Sequence, residues 1–228
     1  MRVRIDLAKD VFQVHGVDRE ERSVWQRKLR RADWMRRLLE KIESGCEIGM
    51  EACGGAHHWA RQLQAKGYTV RLIPPQYVKP YVKTNKNDAN DAQAICEAMS
   101  RPEMRFVSVK TIEQQDIQAV HRIREALKQQ RNGKANQIRG LLAEYGLVAP
   151  RRMTALRAAI PSWLEDAENG LTHRFRALLA GLYEDLRGLE DRIRELDAEV
   201  EHIAQTDPLA KRLQQLRGVG PLIATALV

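Results

Sequence analysis

Four acidic residues, Asp6, Glu51, Asp88 and Asp91, occupy positions that an ordinary solvated surface does not require. Asp6 interrupts the first apolar stretch, and Glu51 ends a second one. Asp88 and Asp91 open a predicted helix, where a spacing of three residues places them on one face. Carboxylates brought together by folding repel each other unless divalent cations lie between them. Hard oxygen ligands select Mg²⁺ or Mn²⁺, and two such ions roughly 3.5–4 Å apart can hold a phosphodiester for in-line attack.

Each of these carboxylates also has a simpler interpretation. Asp88 is a candidate helix N-cap, and Asp91 suits the first turn of the same helix because of the helix dipole. Asp6 is a candidate strand-edge residue paired with Lys9. Considered together, in a basic chain, the four acids favour metal ligation. We therefore predict that all four are metal ligands and catalytic residues.

The elements that must position these side chains alternate between strands and helices. The predicted strands are two within residues 2–17, then 23–31, 46–53 and 68–75. Asp33 is expected to cap a helix with an apolar stripe, and a second helix is expected to end at Gly67. This alternation predicts an α/β fold. Its sheet should be mixed, because the chain opens with a hairpin.

The strand pattern ends near residue 112, and the rest of the chain reads as helical. Residues 112–145 predict one long helix or a broken pair, since KQQRNGKANQ carries almost no apolar stripe. Residues 175–203 carry a heptad repeat over about four heptads. That repeat predicts either self-association or an intramolecular antiparallel pair with the 112–145 helix. The predicted oligomerisation residues are Leu179, Leu182, Leu186, Leu189, Ile193, Leu196 and Val200.

Charge is unevenly distributed along the 228 residues, which carry a formal net charge of +8. Residues 101–160 hold 12 basic and 5 acidic residues, whereas residues 161–228 hold 8 and 12. A segment this basic favours a polyanionic partner, most commonly nucleic acid. Three cysteines without a CxxC pair argue against a disulfide scaffold and a zinc site. With no apolar run of roughly 18 residues and no signal sequence, a cytoplasmic protein without membrane contact is expected.

Basic side chains near the candidate site and along the middle segment are the predicted nucleic-acid contacts. A solvated basic surface is the alternative for each of them. The predicted contacts are Lys9, Lys79, Lys83, Lys86, Arg122, Arg124, Lys128, Arg131, Lys134 and Arg139. His57 and His58 open the helix beside Glu51, where packing or capping is favoured over a ligand role.

Several long segments together carry a family resemblance. IDLAKDVFQVHGVD, GMEACGGAHHWARQL, RLIPPQYVKPYVKTNKNDANDAQAICEA and RPEMRFVSVK closely resemble the DEDD transposases of bacterial insertion sequences, relatives of the Piv invertase. The resemblance implies a RuvC-like, ribonuclease H-fold domain followed by a coiled-coil arm. It aligns Asp6, Glu51, Asp88 and Asp91 with the four acidic motif positions. Their implied role is to bind Mg²⁺ or Mn²⁺ at a site of DNA strand exchange.

The resemblance also implies partners and further domains. Members of the family move DNA through a circular intermediate, and some use a structured guide RNA from the element. A serine in a C-terminal domain is their nucleophile, contributed to a composite site by another subunit. The segment 216–228 resembles the helix-hairpin-helix opening of that domain, so the chain is expected to be a truncated or incomplete transposase.

The resulting domain prediction has four parts. Residues 1–110 form the catalytic domain, 111–160 its basic helical extension, 161–208 the coiled-coil arm and 209–228 the start of the C-terminal domain. The expected function is DNA transposition by metal-assisted phosphoryl transfer, with DNA and a second copy of the chain as partners. The alternatives are a stand-alone Mg²⁺-dependent nuclease of the Holliday-junction type and a non-catalytic oligomeric nucleic-acid-binding module.

Overall fold

The computed structural model describes residues 1–18, 20, 22–78 and 104–228. The chain divides into two compact units, Met1–Thr111 and Ile112–Val228. The first unit is a mixed α/β structure, and the second is built from helices. The predicted division into four domains is a separate matter and stays a prediction.

The described part of the first unit contains a five-stranded mixed sheet. Its strands are β1 (Arg2–Asp6), β2 (Val11–Val17), β3 (Ser23–Arg30), β4 (Glu47–Glu51) and β5 (Thr69–Ile73). Their order in the sheet is β3-β2-β1-β4-β5. β2 pairs antiparallel with both of its neighbours, whereas β1, β4 and β5 run parallel to one another. The prediction of an α/β fold with a mixed sheet and an opening hairpin is therefore confirmed.

One face of this sheet carries the core of the first unit. Side chains alternate between the two faces of a strand, so every second residue points into the core. Val3 and Ile5 of β1 are fully buried, as are Ile48 and Met50 of β4. The intervening residues of the same strands are charged or glycine, and they lie on the opposite, polar face of the sheet.

Two helices packed into the same core connect strands: α1 (Trp34–Leu39) lies between β3 and β4, and α2 (Ala56–Gln64) lies between β4 and β5. A short helix, α3 (Pro75–Val78), follows β5. Asp33 occupies the N-cap position of α1 but makes no capping hydrogen bond through its side chain. Its carboxylate instead lies 2.5 Å from Arg37 Nε in an ion pair one turn into the helix. Gly67 follows α2 with a positive φ of 86°, as its predicted role as a stop signal requires.

The second unit begins with one continuous 32-residue helix, α4 (Ile112–Ala143). Asn132, Gly133 and Lys134 do not interrupt it, which settles the choice between a single helix and a broken pair. Gly133 is exposed, and a glycine there costs only about 1 kcal/mol relative to alanine. The helices that follow are α5 (Met153–Glu165), α6 (His173–Thr206), α7 (Pro208–Leu213) and α8 (Pro221–Leu227).

Helices α4 and α6 form an antiparallel pair within the second unit. Arg124 Nε lies 2.5 Å from Asp197, and Lys134 Nζ lies 3.0 Å from Asp185. The residue number of the ion-pair partner on α6 decreases as the residue number on α4 increases, so the two helices run in opposite directions. Every second position of the heptad seam is buried: Leu179, Leu186, Ile193 and Val200. These four residues thus pack within the chain, as the intramolecular alternative predicts for the seam. Oligomerisation through the predicted residues stays a prediction.

No helix among the described residues is both long enough and apolar enough to cross a membrane.

Candidate functional site

Asp6 and Glu51 end neighbouring parallel strands. Ile5 of β1 pairs with Met50 of β4, so the next residue of each strand, Asp6 and Glu51, lies at the same edge of the sheet. Neighbouring strands are about 4.8 Å apart. Both side chains are half-buried and lie on the polar face. Folding therefore brings together two of the four predicted metal ligands, which are 45 positions apart in the sequence.

The Cys53 thiol lies near both carboxylates. Burial raises the pKa of this thiol above its ordinary value, and the negative charges of Glu51 and then Asp6 raise it further. Both carboxylates therefore lie close enough to this thiol to affect its pKa, in agreement with their placement at one edge of the sheet.

The polar face continues away from this edge as a row of ion pairs. Glu47, at the opposite end of β4, accepts a hydrogen bond from Arg71 Nε at 2.7 Å. Its second carboxylate oxygen lies 3.5 Å from Arg2 Nε. Arg4 lies between these positions on β1 and is only 1% exposed. The arginines thus lie around Glu47 towards one end of the face, and the acidic residues Asp6 and Glu51 lie at the other end, where β1 and β4 stop.

The loop after β4 is held by backbone hydrogen bonds. The Ala52 N–H donates to the Ile73 carbonyl at 2.8 Å, which ties the loop to β5. His57 Nδ1 accepts a hydrogen bond from the Lys110 N–H at 3.1 Å, and Arg61 donates to the Lys110 carbonyl at 2.6 Å. His57 therefore fixes the segment around residue 110 against α2, and His58 packs edge-on against Trp59. Both contacts agree with the favoured packing role.

The remaining predicted ligands fall outside the described part of the chain. Asp88 and Asp91 are not among the described residues, and neither are Lys79, Lys83 and Lys86. Within the described residues, no group of three or more His, Cys, Asp or Glu side chains is placed to hold a metal ion. The four-carboxylate site therefore stays a prediction, of which Asp6 and Glu51 form the described half. Lys9 is exposed in the loop that follows Asp6.

The predicted nucleic-acid contacts on α4 divide into two groups. Arg124 and Lys134 are ion-paired to α6, and Arg139 donates to the carbonyls of Pro150 and Arg151. These three cations support the fold of the second unit. The other group bonds only within α4 or is exposed: Arg122, Lys128 and Arg131. Phosphate contact by either group is untested.

A further basic cluster escaped the prediction. Residues 22–41 contain eight basic and two acidic residues, a density that averaging over residues 1–100 hides. In the structure, five of these eight cations, on β3, on α1 and just after α1, line a common groove. A charge count over a twenty-residue window is the signal that finds it.

Comparison with known proteins agrees with the resemblance in the sequence. The family model for DEDD transposases of the IS110 type, described as "Transposase", matches residues 3–147. A probable family 20 transposase of Pseudomonas aeruginosa is 47% identical over 99% of this chain and 67% of its own length. The transposase for insertion sequence element IS1111A of Coxiella burnetii is 43% identical over 98% of this chain and 61% of its own length.

A third relative agrees with these two. The transposase for insertion sequence element IS1328 of Yersinia enterocolitica is 35% identical over 99% of this chain and 66% of its own length. The chain thus spans about two thirds or less of the length of the relatives that it matches. The family match covers both described carboxylates, Asp6 and Glu51, and the full length of β1 except for Arg2. The chain belongs to the IS110-type DEDD transposase family.

Proposed function

We propose that this chain carries the metal-dependent catalytic site of an insertion-sequence transposase, in which Asp6, Glu51, Asp88 and Asp91 bind Mg²⁺ or Mn²⁺ beside a DNA phosphodiester. The observation that carries the proposal is the placement of Asp6 and Glu51 at the adjoining ends of β1 and β4. The family membership of the chain supports the choice of DNA as substrate.

The donor set fits a hard divalent cation. Two carboxylates supply oxygen ligands of the kind that Mg²⁺ prefers, and they stand on rigid neighbouring strands. Besides burial, the negative charges of Glu51 and Asp6 raise the pKa of the Cys53 thiol, which supports an accumulation of negative charge at this edge of the sheet. A bound cation would offset that charge, polarise the phosphodiester and favour formation of the attacking oxygen nucleophile.

The protein's own contribution is position and charge. β1 and β4 hold the Asp6 and Glu51 carboxylates in register, and the hydrogen bond from Ala52 to Ile73 fixes the loop that leaves the site. The exposed ammonium group of Lys9, three residues after Asp6, is proposed to contact a phosphate next to the scissile one. Asp88 and Asp91 are proposed to complete the ligand set.

We further propose that the first unit is a ribonuclease H-like domain of the RuvC type. Its support is a sheet of order β3-β2-β1-β4-β5 in which β2 alone runs antiparallel, with carboxylates at the ends of β1 and β4. The second unit is proposed to act as a coiled-coil arm. Leu182, Leu189 and Leu196 of its heptad seam are only half-buried, which leaves apolar area for a second copy of the chain.

For the whole protein, we propose recombination of the element's DNA in the cytoplasm, the compartment that contains the bacterial chromosome. The printed names of the relatives state only that they are transposases, two of them for a named insertion sequence element. The use of a structured guide RNA and of a serine nucleophile from another subunit are proposals taken from the family resemblance.

Calorimetric titration of the chain with Mg²⁺ and with Mn²⁺ tests the metal site. Asp6→Asn and Glu51→Gln are each expected to weaken binding at least tenfold, by analogy with the effect of removing groups around metal sites. Asp10→Asn is the matched control, because Asp10 is an exposed carboxylate in the loop only four residues after Asp6. Equal binding by all four proteins, or binding by none, would overturn the proposal.

A further inference from the structure

A groove of about 410 Å³ runs between the edge strand β3 and helix α1 in the first unit. Five cationic side chains and one carboxylate line it, above a floor that includes Trp25 and Leu29. The charged lining residues are Arg27, Lys28, Arg36, Arg37, Lys41 and Glu40. The groove is therefore strongly positive, and its residues are not among the predicted metal ligands or nucleic-acid contacts.

Ion pairs neutralise only part of this charge. Arg36 donates to Glu40 at 2.8 Å, and Arg37 lies 2.5 Å from Asp33. Arg27 and Lys41, by contrast, have no ion-pair partner within the described part of the chain, and both are exposed. A pair of exposed cations facing one groove without carboxylate partners creates a positive potential that attracts anions.

The groove is built from firmly held elements. β3 pairs with β2 from Ser23 to Arg30, with one register shift between Gly16 and Val17, and Leu29 is buried in the core. Trp25 packs directly over Gly16 of β2, where an added Cβ would lie 2.4 Å from the indole Nε1. The indole thus occupies the space that a side chain at residue 16 would need. The cations project from a rigid strand and a short helix anchored by Trp34, which is 1% exposed.

Edge protection is the competing explanation for the charges on β3. Charged side chains on an edge strand discourage pairing with other chains. That explanation accounts for Arg27 and Lys28, which lie on the strand. It does not account for Arg36, Arg37 and Lys41, which belong to α1 and the turn after it and face the same groove. A shared ligand explains both sets.

We propose that this groove binds the sugar–phosphate backbone of DNA. The choice of DNA rests on the proposed transposase function, whereas the site itself rests on the charge and shape of the groove. A backbone ligand offers successive phosphates to cations on two elements, and such contacts position a protein without reading sequence. The groove is a second DNA contact of the first unit, independent of divalent cations.

The test measures binding of the whole chain to a fluorescent DNA duplex of about 30 base pairs, by anisotropy, with EDTA present. Salt is varied between about 50 and 200 mM. The double variant Arg27→Gln with Lys41→Gln is expected to lower the slope of log K against log salt by about two, at roughly 0.9 per lost phosphate contact. Affinity at the lower salt concentration is expected to fall by roughly tenfold.

A matched control removes the same charge elsewhere in the first unit. Lys66→Gln with Arg105→Gln affects two exposed cations that also lack an ion-pair partner in the described chain. Its slope should equal that of the parent. A third variant, Glu40→Gln, removes the one carboxylate in the groove and is expected to tighten binding severalfold. Unfolding curves confirm that each variant folds.

Three outcomes would overturn the proposal. Equal losses in the groove and control variants would show that net charge alone drives binding. If the parent does not bind the duplex, DNA is not the ligand of the groove, even if calorimetry still detects the metal site. Loss of binding to a structured RNA competitor with unchanged DNA affinity would reassign the groove to RNA. Retained binding by Asp6→Asn separates this site from the metal centre.

Discussion

Asp6 and Glu51 end two hydrogen-bonded parallel strands, so their carboxylates stand side by side on the polar face of the sheet. The pairing of Ile5 with Met50, one residue earlier, fixes this neighbourhood through the backbone. Because both side chains are half-buried, water screens their repulsion only in part. A divalent cation bound between the two carboxylates would offset that repulsion.

The first prediction concerns this repulsion. Mg²⁺ should raise the free energy of unfolding of the parent but not that of Asp6→Asn, since a ligand that binds only the folded state stabilises it by mass action. Urea unfolding at several Mg²⁺ concentrations measures this difference.

Asp10→Asn serves as the control for this comparison, and its unfolding curves should match those of the parent at every Mg²⁺ concentration. A parent whose stability does not respond to Mg²⁺ or Mn²⁺ would argue against a metal site at this edge.

The second prediction concerns the helix pair of the second unit. Leu186 of α6 is fully buried in the cluster formed with α4 and α5, whereas Leu178 is 60% exposed. Leu186→Ala should therefore cost about 2–5 kcal/mol of unfolding free energy, and Leu178→Ala about 0.5 kcal/mol or less. The loss at Leu186 should not depend on protein concentration, because its partners belong to the same chain.

Thermal unfolding at two protein concentrations a hundredfold apart makes this measurement. A midpoint that rises with concentration in the parent, and no longer does so in Leu186→Ala, would place this residue in an intermolecular seam instead.

The third prediction concerns pH and the second unit. His121 Nε2 lies 3.0 Å from Thr225 Oγ1, whose own proton is donated to the Pro221 carbonyl. Burial, and then the positive charge of Arg124, lower the pKa of His121 below its usual value of about 6.5. The unfolded chain therefore binds this proton more readily than the folded chain. The resulting stability is complete above about pH 6.5 and is lost as the pH falls through that value towards the folded pKa.

His121→Gln should flatten the pH dependence of unfolding below pH 6.5, and urea titrations at pH values around 5 to 8 measure it. His15 in the first unit has a pKa lowered by burial and by Arg4, so it contributes a slope of the same sign that persists in the variant. Identical pH profiles for parent and variant would contradict the assignment to His121.

The fourth prediction concerns the floor of the basic groove. Gly16→Ala should displace the Trp25 indole, because the new Cβ would lie 2.4 Å from Nε1. The expected cost is about 1–3 kcal/mol, as for other overpacked sites, together with a changed tryptophan emission spectrum. Gly54→Ala is the control, since an added Cβ there meets no atom within 4 Å. An unchanged spectrum and stability in Gly16→Ala would show that Trp25 does not depend on this contact.

Local patterns predicted most of the first unit correctly. Alternating apolar residues marked β1 and β2, and Gly67 marked the end of α2, because these signals act within a few residues. Asp33 is an instructive exception. Its type and position suit a helix cap, but Arg37 one turn later provides a stronger partner for the carboxylate. A local rule could not weigh that ion pair against a hydrogen bond to the backbone.

The basic residues also show that local sequence rules do not reveal which partner a charged side chain meets. The sequence does not distinguish Arg124, Lys134 and Arg139 from Arg122, and phosphate contact by all four stays a prediction. In the structure, the first three also contact Asp197, Asp185 and the carbonyls of Pro150 and Arg151. Whether a cation is neutralised depends on what lies across from it in space, which charge counting along the chain does not record.

The sequence by itself determined the secondary structure, the family and the identity of the candidate ligands, because residue types and short spacings encode these directly. Only the tertiary structure decided which distant residues meet. Strand order brought Asp6 beside Glu51, and helix pairing placed Leu186 against α4. The packing of α1 beside β3 also placed Arg27 and Lys41 at one groove. A heptad repeat or a basic run has the same pattern whichever surface it faces, and only the packed chain specifies that surface.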